Sequence, residues 1–198
     1  ILKRKLEMSN LSTSRSITFV DVETTHLDPK RSAILSITII VDREGQTKTT
    51  WTTKIKPREV EIKFADKRAL QICGYNEEAW QDAPSFEDVA KKISDLLAWG
   101  PVVGHNISFD IDHLTAAFQR RGWEPLGRKE NYLNSEKKYK FGYPLIDTCA
   151  LAFLFLDTDR QNLNALREYL GIDTDRAHDS LTDTEDCREV FYNILNMT

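Results

Sequence analysis

The stretch "SITFVDVETTHLDP", Ser16–Pro29, decides how the chain is read. Ser16–Glu23 is rich in the β-branched and aromatic residues that strands favour. Its apolar context, "ITFVDV", suits a central strand better than a frayed edge. Two carboxylates, Asp21 and Glu23, stand at its end. Residues i and i+2 of a strand point to the same face, so both acids aim together. A solvated strand end is the bland account of such a pair, and the apolar run argues against it. Buried like charges raise one another's pKa unless a cation satisfies them. Hard dications such as Mg²⁺ take oxygen ligands, often one or two carboxylates plus a substrate phosphate.

Two further β-like runs follow, Ala33–Asp42 and Thr47–Lys56, joined by "DREGQ" with a hairpin's Asp and Gly. Three closely spaced strands predict an antiparallel meander. The pattern then changes to alternation. "SFEDVAKKISDLLAWG" opens with a Ser cap and Glu two residues on, carries apolar residues at helical spacing and ends in Gly100. "PVVGH" predicts a short buried strand, "SFDIDHLTAAFQRRG" a helix closed by Gly122, and "YPLID" a second short strand running into the helix "TCALAFLF". "LNALREYLG" and "LTDTEDCREVFYNIL" predict two more helices. The expectation is an α/β fold: one mixed central sheet, a three-strand antiparallel meander plus parallel strands, with helices on both faces. Glu124–Tyr143, polar and Lys-rich, reads as a loop or lid. Residues 1–15 are set aside as a flexible leader, and 16–198 read as a single domain.

Composition bounds the function. With 198 residues, 40% hydrophobic and 29% charged, the chain has the make-up of a folded globular domain. Its longest apolar stretches, "AILSITII" and "CALAFLFL", are too short to span a bilayer, so no membrane is expected. Cys73, Cys149 and Cys187 are odd in number and widely spaced. That predicts free thiols in a reducing, cytoplasmic setting rather than a zinc ribbon or disulfide frame. Net charge is −4, but Arg120–Lys140 carries seven basic residues against three Glu, and the chain from Asp157 onward holds ten acids against four Arg. A basic patch beside an acidic site is the reading.

Two more clusters accompany Asp21 and Glu23. In "GHNISFDIDHL", Asp110 falls in the first turn of a helix, where the macrodipole alone would favour an acid. His105 and His113 have no third ligand at zinc-like spacing and read as polar supports. In "AHDSLTDTEDC", Ser180 and Asp183 have the spacing of a capping box, and His178 lies just before that helix. Each site has a structural excuse. Their combination in order does not.

These residues resemble the motifs of the DEDD-type 3′–5′ exonucleases, in the subclass that carries histidine. The family's D-x-E-T-T-x-L is matched by Asp21, Glu23, Thr24, Thr25 and Leu27. Its second motif is matched by Asn106, Ser108, Phe109 and Asp110, and its H-x-x-x-x-D by His178 and Asp183. "ALQICGYNEEAWQDAPSFEDV" is similar to the connecting segment of proofreading-type members, and "PLIDTCALA" and "LNALREYLGI" resemble later elements. The resemblance runs from about Ser16 to Leu195. It departs at His26, where the family usually has Gly, and at Cys73, where proofreading relatives often carry His.

The resemblance implies an RNase H-like fold with Asp21, Glu23, Asp110 and Asp183 around two Mg²⁺ or Mn²⁺ ions. It implies His178 as general base and nucleoside 5′-monophosphates as products. Leu27 and Phe109 would pack against terminal bases, backbone at Thr24 and Thr25 would contact the 3′ end, and Asn106 would line the substrate site. The Arg120–Lys140 segment would hold phosphates upstream. The partner implied is a nucleic-acid 3′ end, DNA before RNA, with a polymerase partner or a homodimer in view. RNA processing is the alternative, since sugar discrimination depends on packing around the 2′ position. An inert binding module would need none of the five motif residues together, and no D-x-[DN]-x-[DN]-G loop points to Ca²⁺.

Overall fold

A computed structural model of the chain describes residues 16–43, 45–127, 137–173 and 179–197. The leader assigned to residues 1–15 lies outside them, as does His178. The meander forms as β1 (Ser16–Thr24), β2 (Ile34–Arg43) and β3 (Gln46–Lys54), with Asp21 opposite Thr38 and Glu23 opposite Ser36. Short helices α1 (Glu59–Ile62), α2 (Lys67–Ile72) and α3 (Glu77–Trp80) lead to α4 (Phe86–Leu97). Then come β4 (Val102–Gly104), α5 (Ile107–Gln119), β5 (Glu124–Pro125), β6 (Lys138–Tyr139), β7 (Leu145–Asp147), α6 (Thr148–Phe155), α7 (Leu163–Leu170) and α8 (Ser180–Met197). The main sheet runs β3-β2-β1-β4-β7, antiparallel through the meander and parallel from β1 to β4 to β7. This is the mixed sheet that the sequence predicts.

Alternation along β1 sorts its two faces. Val20 and Val22 meet Ile37 and Ile39 under α4 and α5, which contribute Phe86, Ile93, Leu114 and Phe118. Phe19, with Ile40 and Val103, meets Cys187 and Phe191 of α8 on the opposite face, and the Phe19 and Phe191 rings cross at 5.5 Å. Helices therefore cover both faces, as expected. A third cluster, Ala152, Leu166, Val190 and Ile194, joins α6, α7 and α8.

α8 is fastened to β2 by polar groups too. Ser180 Oγ lies 3.0 Å from Thr38 Oγ1. The buried Asp42 accepts from Arg188 Nε and Tyr192 OH, both at 2.8 Å. Ser180 is thus not the cap that its spacing with Asp183 allows. Asp179 Oδ1 accepts from Leu181 N–H and Thr182 N–H instead. At α4 the partner that closes the capping box with Ser85 is Asp88, not Glu87.

The Glu124–Tyr143 loop needs correction. β5 and β6 pair as a parallel ribbon, and Tyr139 stacks on Phe118 with centroids 4.6 Å apart. Aromatic burial outweighs the local lysine content; residues 128–136 lie outside the described residues. The basic patch is corrected at its start as well. Arg120 donates to Pro29 O at 2.6 Å and to Ser32 O, and Arg121 pairs with Glu61 at 3.2 Å and Glu87 at 3.1 Å. These two cations tie elements together and are not offered to a ligand. Lys138 pairs with Glu124 at 2.8 Å.

The segment entering β7 passes close to the end of α4. Gly142 N–H donates to Leu97 O at 2.6 Å, and a Cβ on Gly142 would lie 1.9 Å from Gly100 O. Backbone on both sides cannot yield as a side chain would. Gly142→Ala is expected to cost about 3 kcal/mol or more, and each kcal/mol lowers Tm by about 2–4 °C at this chain length. A melt followed by circular dichroism checks it.

Candidate active site

The C-terminal end of β1 carries Asp21 and Glu23 on the face that α8 covers. Asp183, in the first turn of α8, joins them: each of the three offers a carboxylate oxygen, and these lie within 4.8 Å of one another. Asp110 reaches the same end of the sheet from α5. Its Oδ1 accepts the Val22 N–H at 3.0 Å, and the side chain is buried. α5 can start there because Asn106 takes a left-handed conformation (φ 61°) while its N–H donates to Asp147 Oδ1 at 2.9 Å. The same oxygen accepts the Cys149 N–H at 2.8 Å and caps α6.

Burial and mutual repulsion set the electrostatics. Burial first, then the charges of Asp110, Glu23 and Asp183, hold the Asp21 carboxyl well above its ordinary range. Asp110 is likewise pushed well up, burial first, against the lowering effect of the Val22 N–H. Such a cluster calls for positive charge. The donor set is all hard oxygen, which fits Mg²⁺ or Mn²⁺ rather than a thiophilic ion.

Cys73, at the end of α2, reads in the sequence as a free thiol and as a departure from the family, with no partner assigned, and it is a free cysteine. Its Sγ donates to Glu23 Oε2 at 3.2 Å. Burial, then the Glu23 charge, pushes the thiol up to about 12. It therefore acts at neutral pH as a neutral donor that orients Glu23. His26 does not take a positive φ, so no left-handed strain arises where relatives use Gly. Its Nδ1 accepts the Asp28 N–H at 2.8 Å, and its carbonyl lies 3.0 Å from His113 Nε2. The other ring nitrogen of His113 lies 2.8 Å from Phe109 O, so this histidine is a support between α5 and the turn. His105 likewise supports, 2.9 Å from Thr148 Oγ1 and 3.2 Å from Cys149 Sγ.

The remaining expected residues divide. Leu27 is 82% exposed at the turn after β1, and Phe109 is half-buried with its ring 4.1 Å from that of His113. Asn106 is exposed. Thr24 is buried, and Thr25 is fully buried with its N–H donating to Ala33 O at 2.9 Å and its carbonyl accepting from Asp66 at 2.8 Å. Thr25's backbone is thus already engaged. His178 has no described geometry. What sequence reasoning missed is Arg167 of α7, which donates through Nη2 to Asp183 Oδ1 at 2.5 Å and through Nε to Asp186 Oδ2 at 2.6 Å. Nothing local signals it, because its partners lie 16 and 19 residues away.

The family described as Exonuclease (RNase_T) matches residues 18–191. A DNA polymerase III PolC-type of Thermotoga petrophila is 31% identical over 189 residues, which are 94% of this chain and 12% of that protein. A 3′-5′ exonuclease DinG of Bacillus subtilis is 26% identical over 178 residues, 89% of this chain and 17% of that protein. The chain thus spans about an eighth to a sixth of the length of these curated relatives. In shape it is similar to the nuclease domain of 3′hExo, a DEDDh family member solved with rAMP, with TM-score 0.71 and 17% identity over 93% of both chains. The fold is the RNase H-like fold of such exonuclease domains. Matched from its first strand into its last helix, the chain belongs to the Exonuclease family.

Proposed function

We propose that this domain is a metal-dependent 3′–5′ exonuclease that shortens nucleic acid, DNA before RNA, by hydrolysing the terminal phosphodiester to nucleoside 5′-monophosphates. The observation that carries the reading is the convergence of Asp21, Glu23 and Asp183 within 4.8 Å, beside the buried Asp110. Asp21, Glu23, Asp110 and Asp183 would hold two Mg²⁺ or Mn²⁺ ions, which when bound lower the pKa of water and stabilise charge on the attacking and leaving oxygens.

The chain's own residues do the rest. Asp21, crowded by the charges of Asp110, Glu23, Asp183 and Asp179, would supply a carboxylate oxygen to the metal site. Glu23 is oriented by the Cys73 thiol and Asp110 by the Val22 N–H. Leu27 and Phe109 present apolar surface to the last bases, a contact that tolerates any sequence. His178 takes the proton from the attacking water, a role its unperturbed pKa near 6.5 suits. The DNA preference rests on the likeness to PolC-type polymerases, which also makes a polymerase the partner class to test.

The test uses single-stranded DNA, duplex DNA and RNA, each labelled at the 5′ end, with Mg²⁺ or Mn²⁺ and with chelator. A ladder shrinking from the 3′ end only with metal supports the proposal; binding without shortening overturns it. Phe109→Ala is expected to raise KM for an oligonucleotide roughly tenfold, the scale of one lost stacking contact. Steady-state kinetics on a labelled oligonucleotide checks this, and an unchanged KM removes Phe109 from the substrate site.

A further inference from the structure

We propose, building on the metal-site reading of Asp21, Glu23 and Asp183, that Arg167 is a positioning residue for that site: its buried guanidinium, locked by Asp186, holds the Asp183 carboxylate against the other two acids. Arg167 is 1% exposed, among the largest fully buried side chains of the chain. All three of its nitrogens are engaged. Nε donates to Asp186 at 2.6 Å, Nη2 to Asp183 at 2.5 Å, and Nη1 to Asn164 Oδ1 at 2.6 Å. A planar fork bonded at each corner has no freedom to swing.

The placement explains something the cluster leaves open. Three carboxylate oxygens within 4.8 Å repel one another before any cation arrives. Asp21 and Glu23 are fixed by the pairing of β1 in the sheet, but Asp183 sits in the first turn of a helix. Its side chain is 21% exposed and would ease that repulsion by turning outward. Arg167 opposes this from behind, from the α7 side. A guanidinium suits this place because its planar fork can donate to both carboxylates at once, which an ammonium or imidazole cannot do. Asp186, one helical turn after Asp183 and fully buried, then serves to neutralise and aim the guanidinium.

A purely structural role predicts something different, and the two separate cleanly. Arg167→Met/Asp186→Leu removes one positive and one negative charge, so net charge is conserved. Exchanging a buried ion pair for apolar groups of similar size is often neutral for stability. The double variant is expected to melt close to the wild type and to bind Mn²⁺ roughly 10–100-fold more weakly, as when an outer partner of a metal ligand is lost. Mn²⁺ affinity is read by electron paramagnetic resonance of the free ion, without substrate or turnover. Wild-type affinity in a folded double variant overturns the proposal. Should that variant fail to fold, Arg167→Lys decides, since an ammonium cannot bridge both acids as the fork does: an affinity within about twofold of wild type overturns the proposal, and a larger loss supports it. Asp183→Asn, titrated in parallel, separates the levels. If it binds Mn²⁺ normally, the metal-site reading itself fails; if it binds weakly while the double variant does not, only the role of Arg167 fails.

Discussion

Asp21→Asn is expected to silence hydrolysis and, at the same time, to raise the melting temperature of the metal-free protein. On the proposed metal-site reading, the loss of activity follows from removing one oxygen ligand, and roughly three orders of magnitude is the scale for one preorganised electrostatic group. The gain in stability follows from the raised Asp21 carboxyl, held up first by burial and then by Asp110, Glu23 and Asp183. The sign is fixed by proton linkage. A carboxyl with a raised folded pKa holds its proton more tightly in the folded chain. Its contribution is therefore full below the unfolded value of 3.8 and is lost as pH rises toward the folded value. Asparagine is neutral throughout and escapes that loss. The difference in Tm between variant and wild type, both in chelator, should be near zero at pH 3.5 and grow by pH 7.5. Comparing the two proteins at one pH cancels opposing groups such as His105, whose imidazole burial pushes down. Differential scanning calorimetry at both pH values checks it. A variant that melts below the wild type at pH 7.5 would remove repulsion from the account of this site.

Arg167→Met alone should be among the most damaging single changes in the chain. It strips Asp186, fully buried, of the guanidinium that neutralises it. Breaking a buried pair from one side typically costs about 3–5 kcal/mol, which corresponds to a Tm lower by roughly 6–20 °C. The contrast is Lys91→Met, which removes the exposed partner of Asp95 at 2.7 Å on α4. An exposed i,i+4 pair contributes about 0.3–0.5 kcal/mol, so that melt should barely move. Chemical denaturation of both variants measures the difference. Equal midpoints would mean that Arg167 and Asp186 are solvated and their burial is wrong.

The sheet and the shared face of Asp21 and Glu23 were legible because both rest on short-range pattern; the joining of Asp110 and Asp183 to them was expected only from the resemblance of the motifs, since no local rule spans 89 or 162 residues. Alternation in Ser16–Glu23 gives Asp21 and Glu23 one face, and the apolar runs give the order of strands and helices. α1, α2 and α3 were not read, since helices of four to six residues carry too little periodicity to stand out and are held by tertiary contacts. Trp80 of α3, for instance, is fixed by its indole N–H donating to Leu35 O at 2.8 Å, 45 residues away. Charge misled for the same reason. Arg120 and Arg121 look like surface cations until Glu61 arrives from α1, and Tyr139 looks like part of a polar loop until Phe118 stacks on it. Cys73 was noticed as an unusual residue, but its bond to Glu23 spans 50 residues and no local rule reveals it.

The two fastenings of α8 act as a gauge of length. Ser180 and Arg188 are eight residues apart on a helix, about 12 Å. Their anchors Thr38 and Asp42 are four apart on β2, about 13 Å. Two unlike ladders keep step over this interval and no further. One residue added or deleted between Ser180 and Arg188 would twist the downstream helix by about 100°. Either the Asp42 clasp would open or Asp183 would leave its neighbours, so evolution can lengthen the surface turns of this chain far more freely than this eight-residue span.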